Sequence, residues 1–116
     1  LLAADVARLT GHANQAAEVL RVAIARNSSD PRAAVASFTL GRVLLNQLGR
    51  PRAAADAFAS ARRLAPRGAL AEDALAREVE ALSRAGAQNA ARRRAEEYIT
   101  RYPNGRRIGA VRRYSE

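Results

Sequence analysis

The chain has 116 residues and a formal net charge of +9, and every basic side chain apart from its one histidine is an arginine. This length suits one small domain, and the lack of cysteine excludes a disulfide framework and thiolate metal sites. No apolar run approaches the roughly 20 residues of a transmembrane helix, so we expect no membrane span. Because the chain starts at Leu1 and contains no methionine, we expect it to be a piece of a longer protein.

The composition predicts an all-α fold. Alanine is abundant, aromatic residues make up only 4% of the chain, and runs of β-branched residues are missing. Large side chains are therefore scarce, and the core must come from helices that approach each other closely.

The first predicted helix covers Leu1–Thr10, where Leu2, Val6 and Leu9 recur at helical spacing. Gly11 is predicted to end it, together with the histidine that follows.

Asn14 is then predicted to cap a second helix, which ends at Asn27–Ser29. The predicted buried face of this second helix consists of Ala16, Ala17, Leu20, Ala23 and Ile24.

The next pair of helices has the clearest punctuation in the chain. Asp30-Pro31 joins a capping side chain to a proline at the first helical position, and the helix that follows is predicted to reach about Leu48. Gly49 is predicted to stop it, and Pro51 to open a helix that reaches about Leu64.

Two further helices are predicted over residues 69–85 and 88–102, separated by Gly86. A turn at Pro103–Gly105 leads to a short helix within residues 106–114. One side of this last helix carries Ile108, Val111 and Tyr114.

The helices recur with a regular period. Gly11, Gly49 and Gly86 are spaced 38 and 37 residues apart, and such periods are typical of solenoids. We therefore predict an all-α, right-handed α-solenoid of about three antiparallel helix pairs plus a short C-terminal helix, in one domain. The predicted units are 1–29, 30–67 and 68–104, with the terminal helix at 105–114.

The unit from Pro31 to Pro66 resembles the tetratricopeptide repeat, and its neighbours resemble it more loosely. The small residues Gly41, Ala54 and Ala61 are predicted to let its two helices approach closely. The resemblance implies a non-catalytic module for protein–protein interaction or scaffolding. The residues that match the signature of the family are Leu40, Gly41, Ala54, Phe58 and Pro66.

The segment Ala95–Arg107, with its Tyr-x3-Tyr-Pro helix end, is similar to tetratricopeptide proteins of bacterial envelopes. The stretches around Gly41–Phe58 and Leu64–Ala81 also resemble the repeat region behind FecR-type anti-sigma sensor domains. These resemblances imply a bacterial periplasmic or cell-envelope protein and a role in anti-sigma regulation.

The resemblance further implies a concave groove lined by the first helix of each pair, which holds a peptide or protein segment. An alternative interpretation makes Phe38 and Leu45 core residues between units. The first unit would add Asp5, Arg8 and Leu9, and the third unit would add Ala76 and Ser83. The principal groove positions are Val35, Phe38, Arg42, Leu45, Asn46, Asp73, Glu80 and Arg84.

A competing hypothesis is binding of nucleic acid or another anionic surface by the C-terminal region, where tyrosines lie among the arginines. Against it, Tyr98 and Tyr102 fall on the stripe predicted to pack. The arginines of this patch are Arg92, Arg93, Arg94, Arg101, Arg106, Arg107, Arg112 and Arg113.

No residue pattern indicates catalysis, a metal site or a cofactor, and we expect the chain not to be an enzyme. His12 is the only histidine and is predicted to lie at the surface. The acidic residues of the helix predicted over residues 69–85 are predicted to form a solvated face: Glu72, Asp73, Glu78 and Glu80.

Self-association is a further expectation. The first helix and the apolar side of the terminal helix, at Ile108, Val111 and Tyr114, are predicted to leave apolar surface uncovered.

Overall fold

The computed structural model describes the backbone of residues 2–116 and the side chains of residues 10–116. Within these residues the chain forms six helices and no strand, which confirms the predicted all-α class. The helices are α1 (Leu2–Arg26), α2 (Pro31–Asn46), α3 (Pro51–Leu64), α4 (Ala69–Arg84), α5 (Gln88–Arg101) and α6 (Ile108–Arg112).

The predicted break at Gly11 is wrong, because α1 is one continuous helix of 25 residues. Gly11 has no positive φ, whereas Gly49, Gly68 and Gly86 do. A glycine inside a helix costs only about 1 kcal/mol relative to alanine, which is too little to end a helix by itself. The first predicted unit is therefore one helix, and Asn14 lies within it and caps nothing.

The start of α2 agrees with the sequence prediction. The Asp30 side chain accepts a hydrogen bond from the backbone N–H of Arg32 at 2.8 Å, and Pro31 occupies the first turn. This caps one of the N–H groups that a helix start leaves without a partner.

Gly49 and Gly86 end α2 and α4 as predicted. Their φ angles are 60° and 80°, a region that glycine enters without steric cost. Just beyond them, the N–H of Arg50 donates to the Leu44 carbonyl at 2.8 Å, and the N–H of Ala87 donates to the Leu82 carbonyl at 2.9 Å. These bonds satisfy carbonyls that a helix end would leave open.

The contact between α2 and α3 depends on the predicted small residues. A Cβ added to Gly41 would lie 2.6 Å from the Cε1 atom of Phe58, so the ring packs directly on the α2 backbone. Phe58, Ala54 and Ala61 are all fully buried. Gly41 therefore makes the room that Phe58 fills.

A second apolar cluster joins α4, α5 and α6. Its buried members include Leu75, Val79 and Tyr98, and Val111 of α6 is buried among them. Ile108 and Tyr114 also pack against this cluster. The prediction that this side of the terminal helix stays uncovered is therefore wrong, because α4 and α5 cover it.

Each helix packs on its neighbours in the chain, and α2 also contacts α4. The Cα radius of gyration is 14.8 Å, somewhat above the value of about 13 Å for a compact domain of this length. In the part of the chain that the structure describes, no helix combines the length and the apolar character needed to cross a membrane.

Candidate partner-binding site

Three of the five groove positions predicted on α2 lie at the surface. Val35 is 56% exposed, and Arg42 and Asn46 are exposed as well. Leu45, by contrast, is a core residue, and Phe38 is half-buried with its ring edge toward Phe58 at a centroid distance of 5.4 Å. The reading of Leu45 as core is therefore the correct one, and Phe38 contributes mainly to packing.

The groove positions predicted on α4 are held in ion pairs. The Asp73 carboxylate lies 3.1 Å from Nη2 of Arg106 and 3.6 Å from Nε of Arg107. Glu80 pairs with Arg84 at 2.7 Å. Among the described side chains, no hydrogen bond or ion pair joins these residues to the groove positions of α2.

A cleft of about 150 Å³ opens between α4 and α6. Three guanidinium groups face one carboxylate there, and the Nε of Arg77 is buried with no hydrogen-bond partner in the structure. Arginine pairs strongly with carboxylates and phosphates, so the cleft suits an anionic group. Its lining residues are Ala76, Arg77, Glu80, Arg107, Ala110, Val111, Arg113 and Tyr114.

Sequence reasoning missed this cleft. Arg77 lies 3.7 Å from Glu80, and Asp73 binds the turn before α6. The sequence feature from which the cleft could have been predicted is the apolar side of α6, because that side must pack against another helix. Packing that side on α4 necessarily brings Arg113 beside Glu80 and Ala76.

A hydrogen-bond network fixes α6 in place. The Tyr98 hydroxyl donates to Oε2 of Glu72 at 2.8 Å and accepts from the N–H of Arg107 at 2.9 Å. Oε2 of Glu72 also accepts from the N–H of Arg106 at 3.0 Å. A Cβ at Gly105 would lie 2.5 Å from the Tyr98 hydroxyl oxygen, so glycine is required there.

Burial raises the pKa of Tyr98 to about 12, and the hydrogen bond to Glu72 adds to the rise. Both effects disfavour the charged phenolate. At neutral pH the hydroxyl therefore stays protonated and keeps its role as a donor in the network.

The predicted solvated acidic face of α4 is wrong for three of its members. Glu72 and Asp73 anchor the turn before α6, and Glu78 is buried with its carboxylate 2.7 Å from Nη2 of Arg62. Arg62 reaches Glu97 as well, at 3.4 Å, and so links α3, α4 and α5. Burial raises the pKa of Glu78, and the charge of Arg62 opposes this rise.

The predicted arginine patch divides into paired and unpaired members. Arg94 and Arg101 pair with Glu97, while Arg106 and Arg107 pair with Asp73. Tyr98 is fully buried and cannot stack on a base, which agrees with its predicted place in the packing stripe. The guanidinium of Arg113 lies 5.8 Å from the centre of the Tyr114 ring. Four patch residues are exposed and form no ion pair with any described side chain: Arg92, Arg93, Arg112 and Arg113.

Side chains of the described residues form no group of three or more His, Asp or Glu that could hold a metal ion. His12 is exposed, as predicted, although it lies on a helix and not in a turn. The side chains of Asp5, Arg8 and Leu9, predicted for the groove, lie outside the described residues.

Comparison of the chain with known protein families, curated proteins and solved structures gives no match.

Proposed function

We propose that the chain is a non-catalytic protein-binding module built as a right-handed solenoid of tetratricopeptide type. Packing between chain neighbours supports this architecture, as does the additional contact between α2 and α4, the first helices of successive pairs. The direct packing of Phe58 on Gly41 supports it further, because these two residues belong to the signature of the family. Two antiparallel pairs, α2–α3 and α4–α5, form the centre of this arrangement.

The observation that carries the functional proposal is the cleft between α4 and α6. Ala76 and Glu80, which occupy groove positions, line it together with Arg77, Arg107 and Arg113. The cleft is lined by three guanidinium groups and one carboxylate, so a carboxylate of a bound peptide would meet charged donors there. The partner that fits best is therefore an acidic peptide segment lying along the groove.

Selection of peptides from a random displayed library tests this proposal. We expect the selected peptides to be rich in Asp and Glu and to compete with one another. Combined Arg77→Ala and Arg113→Ala substitutions should weaken their binding at least about tenfold, since each charged hydrogen bond contributes on the order of 1.5–3 kcal/mol. The matched control, Arg92→Ala with Arg93→Ala, removes the same charge outside the cleft and should leave affinity unchanged.

Two results would contradict the proposal. One is a selection that enriches no peptide family. The other is an equal loss of affinity in the cleft variant and in the control, which would mean that only net charge matters.

Binding of nucleic acid or another anionic surface is the second candidate function. Its support is the net charge of +9 and the exposed, unpaired guanidinium groups of Arg92, Arg93 and Arg112. Titration of the chain with unrelated DNA at increasing salt tests it, because phosphate contacts give a steep salt dependence. Absence of binding at moderate salt would end this candidate.

The resemblance of Ala95–Arg107 to tetratricopeptide proteins of bacterial envelopes supports a proposal about the location of the protein in the cell. We place the module in a bacterial periplasm or cell envelope, within a FecR-type regulatory protein. In the structure, the rings of Tyr98 and Tyr102 of this segment lie 5.2 Å apart, centroid to centroid, with their planes tilted by 50°. Fractionation of native cells beside a periplasmic marker tests the placement, and recovery in the cytoplasmic fraction would contradict it.

A further inference from the structure

The second half of α1 leaves open a face that is closed in the other two repeats. By the spacing of the glycines, Ala16, Leu20 and Ala23 correspond to Ala54, Phe58 and Ala61 of α3, which are fully buried against α2. They correspond equally to three buried residues of α5: Ala91, Ala95 and Tyr98.

In α1 the same face lacks a cover. Ala16 is exposed, Leu20 and Ala23 are only half-buried, and the adjacent Val19 is 68% exposed. Ala13 and Ala17, on the neighbouring side of the helix, are buried. α2 therefore covers one side of α1, and the face that carries Ala16 and Val19 remains open.

The repeat indicates which segment belongs on this face. In the later units the helix before the glycine covers the helix after it, and the segment before Gly11 is residues 2–10. This segment continues α1 without a break and runs away from Gly11 at about 1.5 Å per residue. It therefore cannot cover the open face of its own chain.

We propose that a second copy of this chain supplies the cover, through antiparallel packing of the two α1 helices in a symmetric dimer. Exchange of an equivalent element between two copies is a known low-cost route to dimers. The proposal goes beyond the proposed peptide-binding function, and its test reads the oligomeric state and not peptide affinity.

The sequence of α1 fits such a dimer. Apolar residues recur every seven residues along the side of the helix that carries the exposed Ala16, which is the repeat of a coiled-coil seam. The seam consists of Leu2, Leu9, Ala16 and Ala23.

An antiparallel register with its twofold axis between His12 and Ala13 matches the two halves of the seam. It brings Leu9 of one copy level with Ala16 of the other, and Leu2 level with Ala23. Small residues thus lie opposite large ones, which lets the helices approach closely.

Analytical ultracentrifugation of the 116-residue chain over a wide concentration range tests the proposal. We expect a monomer–dimer equilibrium that starts from the monomer mass of 12.4 kDa and approaches twice that mass. A strict monomer at every concentration would overturn the proposal. This includes a monomer in which residues 2–10 of the same chain cover the open face of α1.

A pair of matched variants locates the interface. Val19→Asp places a charge on the open face and should abolish the dimer, while helix content by circular dichroism stays unchanged because Val19 is already exposed. Val22→Asp makes the same change on the same helix at a position that is 42% exposed and lies farther around the helix from Ala16 than Val19 does, and it should leave the dimer intact. Equal effects of the two variants would overturn the assignment of the face.

Disulfide trapping fixes the register, because the chain has no cysteine of its own. A mixture of Leu9→Cys chains with Ala16→Cys chains should form a cross-linked heterodimer on oxidation. The matched mixture of Leu9→Cys with Val22→Cys chains should not. Cross-linking of both mixtures to the same extent would overturn the antiparallel register.

Discussion

Gly11 and Gly49 occupy equivalent positions in the repeat, yet only Gly49 ends a helix. The helices stopped by Gly49 and Gly86 each have 16 residues and bury a broad apolar face. After Gly11, by contrast, Ala16 is exposed and Ala23 is only half-buried. No burial comparable to that after Gly49 and Gly86 offsets the cost of a turn there, so the chain continues as one helix.

The comparison teaches that a glycine permits a turn and that packing enforces it. Pro51 shortly after Gly49 adds a local reason, since a proline inside a helix removes a hydrogen bond and clashes with the preceding turn. Gly86 has no such proline, and there the burial of Ala91 and Ala95 against α4 holds the turn. Neither reason applies to Gly11.

The largest expected effect comes from truncating equivalent large residues in the two regions. Phe58→Ala should lower the free energy of unfolding by about 4 kcal/mol, because the ring is fully buried between α2 and α3. Leu20→Ala, at the equivalent position of the half-open α1, should cost about 2 kcal/mol or less. Urea denaturation at one fixed protein concentration measures both, and equal losses would contradict an open first repeat.

The polar network of the C-terminal region should give the next largest effect, through pH. The folded-state pKa of Tyr98, about 12, lies above the usual 10, so its contribution is complete below pH 10 and is lost as pH rises toward 12. The chain has no lysine to titrate there, and the expected loss is about 2–3 kcal/mol. Tyr98→Phe should remove most of this step in the pH dependence of unfolding, and an unchanged step would show that Tyr98 is not its source.

One substitution at two glycines should give effects of opposite sign. Gly41→Ala forces a methyl group into the Phe58 ring and should destabilise the chain by about 1–3 kcal/mol. Gly11→Ala meets no atom within 4 Å and should stabilise α1 by up to about 1 kcal/mol. Thermal unfolding measures both, and destabilisation by Gly11→Ala would indicate that Gly11 forms a turn after all.

The smallest expected effect concerns the start of α2. Asp30→Ala removes the hydrogen bond to the N–H of Arg32 and should cost about 1 kcal/mol. Asp30→Asn keeps a hydrogen-bond acceptor at this position and should lower the free energy of unfolding by only about a few tenths of a kcal/mol. A loss of similar size for both variants would mean that the ion pair of Asp30 with Arg32 matters more than the cap.

Local signals made most helix boundaries predictable from the sequence. These signals act through the backbone of the residues beside them, as at Asp30-Pro31, Gly49 and Gly86. The helices next to these residues begin or end within two residues of the predicted positions. The small residues at Gly41 and Ala54 were also predictable, because their spacing follows the repeat. These features depend on neighbours in the sequence or on one recurring pattern.

Contacts between distant residues were not predictable. Glu72 binds Tyr98 and Arg106, which lie 26 and 34 residues away, so helix periodicity alone placed it on a solvated face. Leu45 and Phe38 share a helical stripe, and only packing on α3 makes Leu45 core. The α4–α6 cleft likewise required knowing where α6 packs.

The central claim is that the first repeat stays open because α1 continues through Gly11. Pulsed electron paramagnetic resonance can test it with spin labels at Ala3→Cys and Ala25→Cys in the otherwise cysteine-free chain, diluted with unlabelled chain so that only distances within one copy count. A continuous helix predicts a backbone separation of about 33 Å between these positions. A distance of less than half that value would show a hairpin closed at Gly11 and would contradict the account.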